Sequence, residues 1–208
     1  KEPVTCIVGG SKISTKINVI TSLIEKINNL IIVGAMANNF YVYKNFKIGK
    51  SLVEKNTNEI VRKIYDEAEK NHCKIIIPED CVVGTSLEGN GKIKSLDRVK
   101  KNEIILDIGP ISIKKINLLI SQSSTLLWNG PAGYFENKNF SNGTISIAEA
   151  ISKNTHEKNL ISILGGGDTL AAINKSKNKL SFSHLSTAGG AFLEYLEGKD
   201  LPGISVLK

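Results

Sequence analysis

The chain has 208 residues, 41% of them hydrophobic and 23% charged, the length of one large domain and the composition of an ordinary globular protein able to bury a core. No apolar run is long enough for a membrane-spanning helix. The net charge of +7 rests on scattered lysines and only two arginines, Arg62 and Arg98; with no basic stripe interleaved with aromatics, nucleic-acid binding is not expected, whereas a basic surface suits an anionic small substrate.

In chain order, short β-branched runs alternate with helical patterns. Val4–Val8 reads as a buried strand, followed by the loop Gly9-Gly10-Ser11-Lys12-Ile13-Ser14 and a helix with Ile17, Ile20, Leu23, Ile24 and Ile27 on one face. Leu30–Val33 is the next strand, then a Gly34-Ala35 turn and a helix reaching Lys44. Asn56–Asn71 is a helix facing inward through Ile60, Val61, Ile64 and Ala68, and Lys74–Pro78 is a strand. Cys81–Lys101 breaks the alternation and reads as a small hairpin or a loop over the sheet's edge. Glu103–Asp107 is a strand stopped by Gly109-Pro110; Ser112–Ser121 is a helix and Thr125–Trp128 a strand. The helix Ser141–Lys153, the strand Leu160–Leu164, the short helix Asp168–Asn174, the strand Leu180–His184 and the helix Gly189–Leu196 complete the chain.

Continuous apolar strands separated by helices predict a doubly wound α/β fold: a mostly parallel sheet with helices on both faces, Rossmann-like and three-layered. No internal repeat or linker divides it, so residues 1–208 are expected to form one domain. Cys6, Cys73 and Cys81 are odd in number and form no CxxC pair; they are expected to be buried, reduced thiols of a reducing compartment such as the cytoplasm. His72, His156 and His184 lie too far apart in sequence to suggest a zinc site. The start, Lys1-Glu2-Pro3, has neither an initiator Met nor a signal-peptide pattern and suggests a fragment.

Glycines punctuate the strand-to-helix junctions: Gly9-Gly10, Gly34, Gly109, Gly130 (in Asn129-Gly130-Pro131), Gly165-Gly166-Gly167 and Gly189-Gly190. One such glycine is ordinary turn chemistry. Together they predict a rim of backbone N–H groups at helix starts, which is a phosphate site. After the triple glycine, Asp168 is either an N-cap or a magnesium ligand beside the Thr169 hydroxyl; the residues alone leave both open. Neither GxxxxGK[ST] nor a GxGxxG followed by a ribose-binding acid is present, so neither a P-loop nor a dinucleotide fold is expected.

The stretches GGSKISTKI (Gly9–Ile17), GAMANNF (Gly34–Phe40), IGKSL (Ile48–Leu52), IIIPED (Ile75–Asp80), DIGP (Asp107–Pro110), LLWNGPAGYFE (Leu126–Glu136), LGGGDT (Leu164–Thr169) and HLSTAGGAFLEYLEGKDLPGI (His184–Ile204) resemble the C-terminal, nucleotide-binding half of phosphoglycerate kinase, in order and across nearly the whole chain. The resemblance implies phosphoryl transfer between 1,3-bisphosphoglycerate and ADP, or in reverse from ATP to 3-phosphoglycerate, with Mg²⁺ and no protein nucleophile. It implies that Lys12 meets the transferring group, that Lys16 holds nucleotide phosphates, and that Gly167 and Gly190 offer N–H groups to the phosphoryl group. The i,i+4 spacing of the two lysines predicts one face at the start of a helix. Asp168 would bind magnesium, Thr169 would contact phosphate, Asn129 would lie near the β- and γ-phosphates and Glu136 would accept the ribose hydroxyls. Gly34, Ala35, Leu52, Leu87, Leu106 and Tyr134 would line the adenine slot.

Two positions depart from the family's glycines. The Ala35 methyl is expected to narrow the slot, and Ala188 is expected in an ordinary backbone region. The family's phosphoglycerate-binding N-terminal domain, with its basic patch, has no counterpart in these residues. The chain is therefore expected to be a monomer that binds Mg-nucleotide, meets phosphoglycerate only through that domain, and turns over poorly alone. Its ending, LPGISVLK, is expected to lack the partner surface to which the family's tail returns. The rival expectation is a free-standing nucleotide-binding module with a regulatory role.

Overall fold

The computed structural model describes residues 1–176 and 178–206. The expectation for the tail can be read only to Val206, because Leu207 and Lys208 lie outside the described residues. In chain order the elements are β1 (Val4–Val8), α1 (Ile17–Ile24), β2 (Asn29–Ile32), a 3-10 turn Gly34–Met36 leading into α2 (Ala37–Tyr43), α3 (Asn58–Lys70), β3 (Lys74–Ile76), β4 (Asp80–Gly84), β5 (Lys92–Ser95) and β6 (Ile104–Ile108). They continue with α4 (Pro110–Gln122), β7 (Thr125–Asn129), α5 (Asn142–Glu157), β8 (Ile161–Gly165), α6 (Gly167–Ile173), β9 (His184–Ser186), α7 (Gly190–Leu196) and α8 (Pro202–Ser205).

Six strands form the main sheet in the order β3-β2-β1-β7-β8-β9, and every pairing in it is parallel. Alternate residues of one strand serve different cores, as a sheet covered on both faces requires. Cys6 and Val8 pack with Ile20 and Ile24 of α1 and with Val61 and Ile64 of α3. Ile7 and Trp128 pack with Ile116 and Ile120 of α4 and with Ile147 and Ile151 of α5. The expected three-layer fold is present, and all three cysteines are buried free thiols. Burial pushes the Cys6 thiol up to about 12, where it stays protonated.

Two strand expectations need correction. The apolar run ending at Asp107 was expected in the parallel sheet. Instead β6 pairs antiparallel with β4 in a separate three-stranded sheet, β5-β4-β6. The hairpin expected within Cys81–Lys101 is the β4–β5 part of that sheet. The last strand lies at His184–Ser186 rather than Leu180–His184. Leu180 and Phe182 are held instead as partly buried side chains against the core that contains α5, and the pairing with β8 begins only at His184.

Candidate functional site

The strand order reverses between β1 and β7. In a doubly wound sheet that reversal opens a crevice at the carboxyl ends of the two strands. Here the crevice floor is backbone on backbone. The Gly9 N–H donates to the Asn129 carbonyl at 2.8 Å. Gly130 has φ +99°, and a Cβ there would lie 2.4 Å from the Gly9 carbonyl oxygen, a contact no side chain tolerates. At these two junctions the glycines first serve the approach of one loop to another, which qualifies their reading as a phosphate rim. Gly167 and Gly190 differ: a methyl on either would meet nothing within 4 Å. They open α6 and α7 with space around them.

Lys16 joins the loops. Its ammonium donates to the Gly9 carbonyl and to the Asn129 side-chain oxygen, both at 2.8 Å. The Asn129 amide in turn donates to the Gly165 carbonyl at 3.0 Å. Burial lowers the Lys16 pKa to about 8, with Cys6 and the Asp168 carboxylate acting in the opposite direction. The shared helix face expected for Lys12 and Lys16 is not found. Helix α1 begins at Ile17 and Lys16 is its N-cap residue; Lys12 stands exposed in the preceding turn, where the Ser11–Lys16 stretch turns before the helix starts.

Thr169 also needs correction. Its side chain is fully buried and accepts the Gly130 N–H at 2.7 Å, so the hydroxyl secures the β7 turn rather than facing the crevice. Asp168 is not an N-cap. The cap residue is Gly166, at φ +101°, and Asp168 is the second residue of α6.

Beside this junction lies a cavity of about 500 Å³. All six residues expected for an adenine slot, Gly34, Ala35, Leu52, Leu87, Leu106 and Tyr134, line it, as do Glu136 and Asp168. Leu52 and Leu87 remain 61% and 44% exposed, two apolar side chains on loops facing an open slot. Lys12, Lys16, Asn129, Gly167, Thr169 and Gly190 are not on that wall. Gly10 and Ser11, which precede Lys12, are. Ala188 keeps an ordinary backbone, and the left-handed turn beside it falls on Gly189 at φ +54°.

Sequence reading missed Tyr41, Lys50 and Asp107 on the same wall. The Asp107 carboxylate accepts the N–H groups of Gly143 at 2.8 Å and Ile108 at 2.9 Å. Burial nevertheless raises its pKa to about 7. An Asp closing an apolar strand before Gly-Pro was the available signal.

Among the described residues no group of three or more acidic, His or Cys side chains could hold a metal by itself. Asp168 is exposed and lines the cavity. One accessible carboxylate at the mouth of a polar crevice suits Mg²⁺, which takes one or two carboxylates and fills its remaining positions with phosphate oxygens and water.

A parallel sheet with a switch-point crevice whose loops are joined by Lys16, and a largely apolar cavity beside it, defines a doubly wound α/β protein with a ligand-sized site at its strand ends. Comparison with known proteins makes this specific. The phosphoglycerate kinase family profile matches residues 1–199. The phosphoglycerate kinase of Wolbachia pipientis subsp. Culex pipiens (strain wPip) is 43% identical over 205 residues, covering 98% of this chain and 52% of that protein. The one from Zymomonas mobilis is also 43% identical, over 99% of this chain and 52% of that protein. The solved phosphoglycerate kinase of Coxiella burnetii superposes with a TM-score of 0.92 at 41% identity, over 100% of this chain and 53% of its own. The chain belongs to the phosphoglycerate kinase family, and it spans about half the length of the curated relatives it matches.

Proposed function

We propose that this chain is the C-terminal, nucleotide-binding domain of a phosphoglycerate kinase and that it takes Mg-ADP or Mg-ATP in the crevice. One observation carries the reading: six slot residues and the rim carboxylates Glu136 and Asp168, drawn from segments far apart in sequence, meet on one cavity of about 500 Å³. The base would lie between Leu52 and Leu87, with Ala35 and Leu106 beneath, and Glu136 would accept the ribose hydroxyls.

The phosphates would run toward Lys12, Lys16 and the start of α6. Phosphoryl transfer needs positioning and charge neutralisation rather than a protein nucleophile. Lys16 would exchange its bonds to Gly9 and Asn129 for phosphate oxygens, and Lys12, exposed in its turn, would follow the transferred group. Gly167 and Gly190 have open space where a Cβ would stand, and their N–H groups, at the starts of α6 and α7, would orient that group. Mg²⁺ held by Asp168, when bound, supplies further neutralisation of the phosphate charge.

In the whole protein the second substrate, 1,3-bisphosphoglycerate or 3-phosphoglycerate, would be held by an N-terminal domain, and this chain alone would turn over at a small fraction of the full rate. We place the protein in the cytoplasm as a monomer; its three buried free thiols support a reducing compartment.

Titration calorimetry with ADP, with and without Mg²⁺ and beside Asp168→Ala, tests the reading. Magnesium-dependent binding that the substitution weakens at least about tenfold is the expected result. Binding indifferent to both magnesium and Asp168 would overturn the metal assignment, and no binding by the folded chain would overturn the nucleotide reading. A coupled assay showing full turnover by this chain alone would overturn the half-enzyme proposal.

A further inference from the structure

Between α2 and α3 the chain runs as an irregular loop, Ser51–Thr57, that presents Leu52 to the cavity. Two buried asparagines of α2 hold this loop. Asn38 donates to the Leu52 carbonyl at 2.8 Å. The Asn39 side-chain oxygen accepts the Glu54 N–H at 3.2 Å and the Thr57 hydroxyl at 3.0 Å. The loop is thus a fixed platform on α2.

From that platform the Glu54 side chain crosses to the lysine-bearing turn. Its Oε2 accepts the Ser14 N–H at 3.0 Å and its Oε1 accepts the Ser14 hydroxyl at 2.5 Å. The turn has bonds of its own: the Thr15 hydroxyl donates to the Lys12 carbonyl at 3.1 Å, and the Lys16 N–H donates to the Ile13 carbonyl at 3.0 Å. Glu54 braces it from outside. Burial works against the Glu54 charge, but the Ser14 hydroxyl, the N–H groups of Ser14 and Ile13, and the charge of Lys12 outweigh it and keep its carboxyl below the usual range.

We propose that Glu54 is a positioning residue that couples the two ends of the ligand site, fixing the turn that carries Lys12 and Lys16 to the loop that carries Leu52. The proposal rests on the nucleotide reading above. Geometry and charge make opposite predictions for removing Glu54. A carboxylate beside Lys12 weakens the pull on an anion, so its neutralisation, if charge alone mattered, would tighten phosphate binding. If bracing matters, neutralisation loosens binding, because a displaced lysine turn loses much of what orientation supplies.

The test is calorimetry of Mg-ADP and of adenosine with the wild-type chain, Glu54→Gln and Leu52→Ala. The expected result for Glu54→Gln is Mg-ADP binding about tenfold weaker with adenosine binding unchanged. Leu52→Ala is expected to weaken both ligands. Mg-ADP binding that is unchanged or tighter in Glu54→Gln overturns the proposal. So does an equal loss for both ligands, the mark of general structural damage. If Glu54→Gln does not fold, Ser14→Ala decides: it deletes only the hydroxyl bond and is expected to weaken Mg-ADP about threefold without touching adenosine, and an unchanged ADP constant overturns the proposal. Failure of the wild-type chain to bind Mg-ADP overturns the nucleotide reading first and this proposal with it.

Discussion

The Lys16 ammonium donates to the side-chain oxygen of Asn129 at 2.8 Å, and this bond spans the point where the strand order reverses. Asn129 passes the connection to the Gly165 carbonyl at 3.0 Å. One lysine and one asparagine therefore tie the ends of β1, β7 and β8 before any ligand arrives, and the ammonium is held ready at the price of burial.

That burial sets a pH dependence. The Lys16 pKa is lowered to about 8, and only the protonated form meets a phosphate. Mg-ADP affinity is expected to fall as pH rises through about 8 and on toward the ordinary lysine range. Lys16→Met should bind more weakly and show a flat profile over the same range. Calorimetry at several pH values reads both; a wild-type profile as flat as the variant's would refute the assignment.

Asp107 gives a stability test in which the same cause, burial, moves a pKa in the opposite direction. Its pKa rises from 3.8 to about 7 through burial. A raised folded pKa contributes stability that is fully present below the unfolded value, declines as pH rises and is gone above about 7. Wild-type unfolding free energy is expected to drop, relative to Asp107→Asn, between about pH 4 and about pH 7 in urea titrations. Parallel curves for the two proteins would show that burial does not govern this carboxyl.

Two glycines separate packing from ligand contact. Gly130→Ala forces a side chain into φ +99° and against the Gly9 backbone, and is expected to destabilise the fold by about 2–4 kcal/mol. Gly167→Ala meets no neighbour within 4 Å and should leave thermal stability within about 1 kcal/mol of wild type while weakening Mg-ADP binding. Thermal melts and calorimetry on the pair check this; equal destabilisation by both would remove the distinction.

The Thr169 hydroxyl is the acceptor of the buried Gly130 N–H at 2.7 Å. Thr169→Val keeps the shape but strands that donor, at an expected cost of about 1–3 kcal/mol. Chemical denaturation measures it. A neutral substitution would mean that the hydroxyl is not needed by the turn.

Strands β1, β2, β7 and β8 were legible because each is a continuous apolar run rich in branched residues, and the helices because their apolar stripes recur at helical spacing. The slot residues were legible through family motifs rather than through their own chemistry; Leu52 and Leu106 read as ordinary core. What sequence could not give was partnership. The run Ile104–Ile108 is as apolar as a parallel strand and pairs antiparallel with β4, and nothing in its pattern names that neighbour. Leu180 and Phe182 drew the last strand upstream, because apolar side chains mark burial and not pairing. No motif marks Glu54 in the sequence; it is the fold that sets it against Ser14, forty positions away.

The pairing of β1 with β7 joins the first strand to one more than half the chain later. Loop closure of that span must be met before its contacts return anything, so such pairings form late. The crevice floor, made where these two strands end, is therefore expected to be completed late in folding. A nucleotide that binds there can do little to hasten the early steps. Its effect should fall on the reverse path, as a slower rate of unfolding, so that the ligand acts less as a template for the fold than as a lock on the finished molecule.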